Sequence, residues 1–209
     1  AKNVYSQNSE DGIVEELLKR LNIENGWVCE FGAWDGKHLS NTFNLIENKN
    51  FNAVFIEGDK NKYKDLLKTV KEFPKIVPIQ SMVDHNDSPN SLDNLLKQTD
   101  IPNDFELLSI DIDSYDYQVW KSLKLYKPKI VIIEINSSVK PNNSEWIHKP
   151  GKYEGTGFKP TLELGIEKGY KFILHTGNMF FIRSDLFDKL NITYDNPIEN
   201  FRTNWLRGI

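Results

Sequence analysis

Short apolar runs alternate along the chain with longer stretches whose apolar residues recur at helical spacing. Residues 27–31 (WVCEF), 53–57 (AVFIE), 76–79 (IVPI), 105–110 (FELLSI) and 129–135 (KIVIIEI) are brief and nearly continuous in apolar character. Such runs read as strands buried on both faces, as in a parallel sheet covered by helices. The segment after Ser9 carries Ile13, Val14, Leu17, Leu18 and Leu21 as one apolar stripe. Ser9 is placed as its N-cap, with Glu10 and Asp11 suited to the positive end of the helix. Residues 60–72, 91–98 and 117–123 are predicted as further helices. Five strands with helical connections define a doubly wound α/β sheet.

The last third changes rhythm. Residues 161–168 read as a helix that Gly169 stops, and residues 170–175 (YKFILH) and 179–183 (MFFIR) read as strands. Only Thr176-Gly177-Asn178 joins them, and so short a join makes the pair antiparallel. The prediction is a mostly parallel seven-stranded sheet ending in an antiparallel hairpin, with helices on both faces. Residues 136–159 fit no element and hold Trp146, His148, Tyr153 and Phe158 among glycines and prolines. A loop of this length in a compact domain is usually a lid or a binding loop.

Composition narrows the class. The 209 residues suit one domain spanning 1–209, and 39% hydrophobic with 12% aromatic residues supply a real core. No apolar run reaches the roughly 18–20 residues of a membrane span. The start, Ala1-Lys2-Asn3-Val4-Tyr5, lacks the apolar stretch of a signal peptide. The single cysteine, Cys29, sits in an apolar run and reads as a buried hydrophobe, so a cytoplasmic location is expected. With 26 basic and 30 acidic residues the net charge is −4, and nothing steers the chain toward nucleic acid.

The first strand runs into Glu30-Phe31-Gly32-Ala33-Trp34-Asp35-Gly36. Glycines let a strand turn sharply and let backbone approach a ligand, although an ordinary tight turn also leaves this spacing. The dinucleotide fingerprint needs a third glycine, and Trp34 stands where a pyrophosphate would approach. S-adenosylmethionine has no phosphate, and Glu30 and Asp35 suit its amino group. Glu57 ends the second strand, 21 residues after Gly36. An acid there accepts hydrogen bonds from ribose hydroxyls, a service that both NAD and S-adenosylmethionine need. An NAD-dependent oxidoreductase and a non-catalytic nucleoside- or carbohydrate-binding module are the rival readings.

The chain resembles the FkbM-type class I methyltransferases. The resemblance lies in Tyr5-Ser6-Gln7-Asn8-Ser9-Glu10-Asp11-Gly12, the Cys29–Gly36 loop, Ser109-Ile110-Asp111-Ile112-Asp113-Ser114-Tyr115-Asp116-Tyr117 and His175-Thr176-Gly177-Asn178. Two residues depart from the expected pattern: Trp34 in place of the middle glycine of the loop, and Ser114 in place of glycine. The resemblance implies a Rossmann-like fold and transfer of a methyl group from S-adenosylmethionine to oxygen. It also implies a small-molecule acceptor of the sugar or polysaccharide-precursor kind.

Candidate roles follow. Glu30, Gly32, Asp35 and Gly36 are placed at the methionine end of the cofactor, Glu57 at the ribose, Ser81 and Met82 at the adenine, and Gln7 over the top. Asp111 and Asp113 end the fourth strand, and Glu134 and Asn136 end the fifth. Side chains two apart share a face and neighbouring strands lie about 4.8 Å apart, so these groups should meet. Two chemistries fit. Asp111 could take the acceptor proton as a general base, or Asp111 and Glu134 could hold Mg²⁺. His175 is a second candidate base. Asp113, Asn136, His148 and Asn178 are the expected acceptor contacts.

Overall fold

The computed structural model describes residues 4–193 and 197–200; Ala1, Lys2 and Asn3, on which the leader argument partly rests, lie outside them. In chain order the elements are α1 (Glu10–Arg20), β1 (Trp27–Phe31), α2 (Phe43–Lys49), β2 (Asn52–Glu57), α3 (Lys60–Glu72), β3 (Ile76–Gln80) and α4 (Leu92–Leu96). Then come β4 (Leu107–Ile110), α5 (Asp116–Ser122), β5 (Ile130–Glu134), α6 (Phe158–Glu167), β6 (Tyr170–His175) and β7 (Asn178–Arg183). Short 3₁₀ turns follow at Ser184–Leu190 and Pro197–Asn200.

The seven strands form one sheet in the order β3-β2-β1-β4-β5-β7-β6. β1 to β5 pair in parallel, and β7 runs antiparallel between β5 and β6. This is the predicted sheet. Continuous apolar runs are explained by two cores, one on each face. Along β7, Phe181 enters the layer with Trp120, Phe158 and Phe172, while Phe180 enters the layer with Val14, Phe43 and Phe55. Burying each such side chain is worth about 1.5–3 kcal/mol, so neither face tolerates a polar replacement. β3 is an edge strand, which explains how it accommodates Pro78, a residue without an N–H to donate.

Three local expectations are corrected. Ser9 precedes α1 but adopts φ 67° and its side chain makes no capping bond. Ser6 takes that part: its hydroxyl accepts the Asp11 N–H at 3.2 Å, and the buried Asp11 carboxylate accepts N–H bonds from Val4, Tyr5 and Ser6. The N-terminal segment is therefore tied back onto its helix. Second, α2 leaves no helical signature in the sequence, because its buried apolar residues Phe43, Leu45 and Ile46 span less than two turns. Third, the 136–159 loop ends two residues early, because Phe158 and Lys159 open α6; ahead of α2, Asp35 Oδ1 accepts the Lys37 and His38 N–H groups and folds that stretch into a turn. Among the described residues no helix is long and apolar enough to cross a membrane.

Candidate active site

From β1 the chain goes next to β2 on one side, while β4 lies on the other. At such a reversal the carboxyl ends of the two central strands open a crevice. The loop leaving β1 enters it with Gly32 at φ 74°, Trp34 at φ 48° and Gly36 at φ 81°. A β-carbon on Gly32 would overlap the Asp111 carbonyl oxygen, so glycine here serves contact between two loops. The Trp34 indole turns outward, 41% exposed, with Lys62 Nζ 4.5 Å above its ring. That outward position reconciles a bulky residue with the crevice.

Glu57 is the clasp of this corner. One carboxylate oxygen accepts the Trp34 N–H at 2.7 Å and the other accepts the Asp59 N–H at 2.7 Å. Each oxygen keeps a lone pair for a further donor. Glu30 is buried beneath the loop, where one of its oxygens accepts the Ser40 and Thr42 hydroxyls. Burial pushes its carboxyl up to about 7, against the pull of those two bonds. Asp35 is occupied by its own turn. At the end of β3 the Ser81 hydroxyl bonds the Met82 carbonyl, and Met82 is 74% exposed, so it does not fill the core.

Across the crevice the acids meet. Ligand oxygens of Asp111, Asp113 and Glu134 lie within 4.8 Å of one another. Strand alternation is not the reason: β4 ends at Ile110, and Asp113 sits at φ 60°. Asp116, at the head of α5, shapes the loop by accepting the Ile112 and Ser114 N–H groups at 2.8 and 2.9 Å. Burial pushes Asp116 up to about 7. Burial and then the charge on Asp111 push Glu134 up to about 10. Burial and Asp113 raise Asp111 too, while a hydrogen bond from Glu134 pulls it down. Burial and mutual repulsion thus favour a proton on this pair, most strongly at Glu134. Water reaches Asp111 through the open cavity, although protein crowds its carboxylate from behind.

A cavity of about 470 Å³ opens on this corner. Asp111, Asp113, Glu134, Asn136 and Asn178 line it together with Gln7, so these expectations converge in space. Glu30, Gly32, Asp35, Gly36, Glu57, Ser81 and Met82 are not among its lining residues.

Two histidines are placed differently from expectation. His175 is 5% exposed and does not line the cavity; its Nε2 lies 3.1 Å from the Ser137 hydroxyl, which does. His148 is buried and organises its own loop. Its Nδ1 accepts the Gly155 N–H and its ring meets Tyr115 edge-on at 4.7 Å. Both sit on segments whose neighbours reach the cavity, and packing turns the rings inward.

Several residues at this corner take no site role from the sequence. Asn8, Ser137 and Glu154 line the cavity. Glu10 is fully buried; its oxygens accept the Thr176 hydroxyl at 2.7 Å and the Asn8 N–H at 2.6 Å. It joins the N-terminal segment to the β6–β7 turn, a partnership across 166 residues that no local spacing reveals.

No protein-family model matches the chain, and no curated protein sequence does. Solved structures share its fold. A putative caffeoyl-CoA O-methyltransferase from Staphylococcus aureus has a TM-score of 0.57 at 13% identity, over 87% of this chain and 85% of that one. The N-terminal domain of EvdMO1, in the presence of SAH and D-fucose, has a TM-score of 0.52 at 8% identity, over 84% and 81%. The [4+2]-cyclase SpnF has a TM-score of 0.50 at 13% identity, over 83% and 61%. The chain therefore has the Rossmann-like methyltransferase fold. One of these proteins is named for a cyclisation, so the reaction must be argued from the site.

Proposed function

We propose that this protein transfers a methyl group from S-adenosylmethionine to a hydroxyl of a sugar, a polysaccharide precursor or a related small molecule, as an FkbM-type methyltransferase does. The observation that carries the reading is the Asp111–Glu134 pair. It presents two adjacent carboxyl groups, Asp111 the more open of them, to a cavity at the crevice where this fold takes its ligands.

The residues present fit the cofactor. Glu57 keeps lone pairs for two ribose hydroxyls, Met82 offers an exposed thioether for a purine face, and the Gly32–Gly36 turn brings backbone to the methionine end. Bound S-adenosylmethionine supplies an electrophilic methyl on a sulfonium. Asn136 and Asn178 orient the acceptor, and Asp111 takes the proton from its hydroxyl as the oxygen attacks. Glu134 holds the neighbouring proton and spares Asp111 the repulsion of a second charge. Orientation supplies most of the rate, and proton removal adds about 10²–10⁴-fold.

Three carboxylates this close also suit Mg²⁺, which Asp111 and Glu134 would hold to polarise the hydroxyl. A proton on Glu134 would relieve their repulsion as well, and the metal-free form is the one proposed. A pathway metabolite extract, incubated with the protein and methyl-labelled S-adenosylmethionine, tests the function by mass spectrometry. A labelled product supports it. Binding of NADH without binding of S-adenosylmethionine would overturn it.

A further inference from the structure

Every titratable side chain that lines the cavity is a carboxyl group. Asp111, Asp113, Asp116, Glu134 and Glu154 line it, and no lysine, arginine or histidine does. Among the described residues none of these five forms an ion pair. Asp111 and Glu134 lie against one another, and Asp116 is spent on its loop. Asp113 and Glu154 remain. Both are exposed, and neither carboxylate makes a hydrogen bond among the described residues.

A second, independent observation points to a ligand. Asn178 is only 8% exposed, lines the same cavity and pairs directly with Glu134 across β5 and β7, so both side chains leave one face of the sheet. Its amide has no hydrogen-bond partner among the described residues. The residue is buried but its amide opens on the cavity, so its partner there is whatever enters, water or ligand.

We propose that the acceptor carries an ammonium group near its reacting hydroxyl and bears no phosphate: an amino sugar or a comparable amino-polyol. The inference rests on the methyl-transfer reading and narrows it. The cofactor brings a single net positive charge. Asp113 and Glu154, both exposed and unpaired, already present more negative charge than that. An ammonium meeting Asp113 or Glu154 forms charge-assisted bonds, and the Asn178 amide serves a hydroxyl. A phosphate would meet like charge with no cation to receive it, which is discrimination by repulsion.

The test is calorimetric titration of the full chain, saturated with S-adenosylhomocysteine at pH 7, with D-glucosamine, N-acetyl-D-glucosamine and D-glucosamine 6-phosphate. Acetylation removes the charge and keeps the ring. Glucosamine should bind at least about tenfold more tightly than either of the others. Asp113→Asn combined with Glu154→Gln should shrink the advantage of glucosamine over N-acetylglucosamine to within about twofold. Equal affinities, a preference for the phosphate, or no glucosamine binding by protein that holds S-adenosylhomocysteine would overturn the proposal and spare the methyl-transfer reading. Failure to bind S-adenosylhomocysteine would overturn both.

Discussion

Gly32 lies so close to the backbone carbonyl of Asp111 that a β-carbon would overlap the oxygen. The loop that shapes one side of the crevice therefore touches the loop that carries the proposed base. Gly32→Val should fail on two counts. A β-branched residue at φ 74° costs at least about 1–2 kcal/mol in the backbone, and the collision must push the two loops apart. Urea unfolding should show a loss of more than about 2 kcal/mol, with cofactor affinity lost in the folded fraction. Wild-type affinity for S-adenosylmethionine in this variant would reduce the loop to an ordinary turn.

Glu57→Ala should weaken both the fold and the cofactor site. The Trp34 and Asp59 N–H groups lose their acceptor, at about 1–3 kcal/mol for each left unsatisfied. Binding of S-adenosylmethionine should fall by about 1.5–3 kcal/mol, the usual worth of a hydrogen bond to a charged group. Calorimetry on a folded variant with unchanged affinity removes Glu57 from the site.

Asp111→Asn keeps shape but cannot accept the proton. Cofactor affinity should stay within about tenfold while turnover drops about 10²–10⁴-fold. His175→Gln should cost at least about tenfold less, since His175 stands behind Ser137 and off the cavity wall. A chelator should leave wild-type turnover unchanged. Because Asp111 is raised above the ordinary aspartate range and works only when ionised, turnover should fall on acidification at a higher pH than a free aspartate would dictate. Loss of turnover in chelator, restored by added Mg²⁺, would move Asp111 from base to metal ligand.

Stability should decline as pH rises. Burial lifts Glu30 from 4.5 to about 7 in the folded protein, so between those values the folded state binds more protons than the unfolded one. Stability then falls with pH across that window, and for Glu30 the full loss is on the order of 3 kcal/mol above it. Asp116, lifted from 3.8 to about 7 by burial, acts in the same direction. Glu30→Gln keeps an oxygen for Ser40 and Thr42 and should flatten part of this slope. Urea midpoints at pH 5 and pH 8 that differ as much in the variant as in wild type would remove Glu30 as a cause.

The alternation of apolar runs and helical stripes by itself determined the sheet, because strands buried on both faces have nowhere polar to put a side chain. The Thr176-Gly177-Asn178 join determined the antiparallel end, because three residues cannot carry a crossover. The sequence also placed Asp111, Asp113, Glu134, Asn136 and Asn178 at strand ends, and fold topology carries strand ends to one crevice. Tertiary structure decided what those residues do there. His175 and His148 stand in motifs near the cavity, yet packing against Phe158 and Tyr115 turns both rings away from it. Glu10 and Glu154 joined the corner from distant segments, Glu10 as a clasp to Thr176 and Glu154 as part of the cavity wall. Periodicity records which face a side chain leaves from, and so it reaches a core. Which acid holds a proton depends on burial and on charges a few ångströms away, and those distances exist only once the chain has folded.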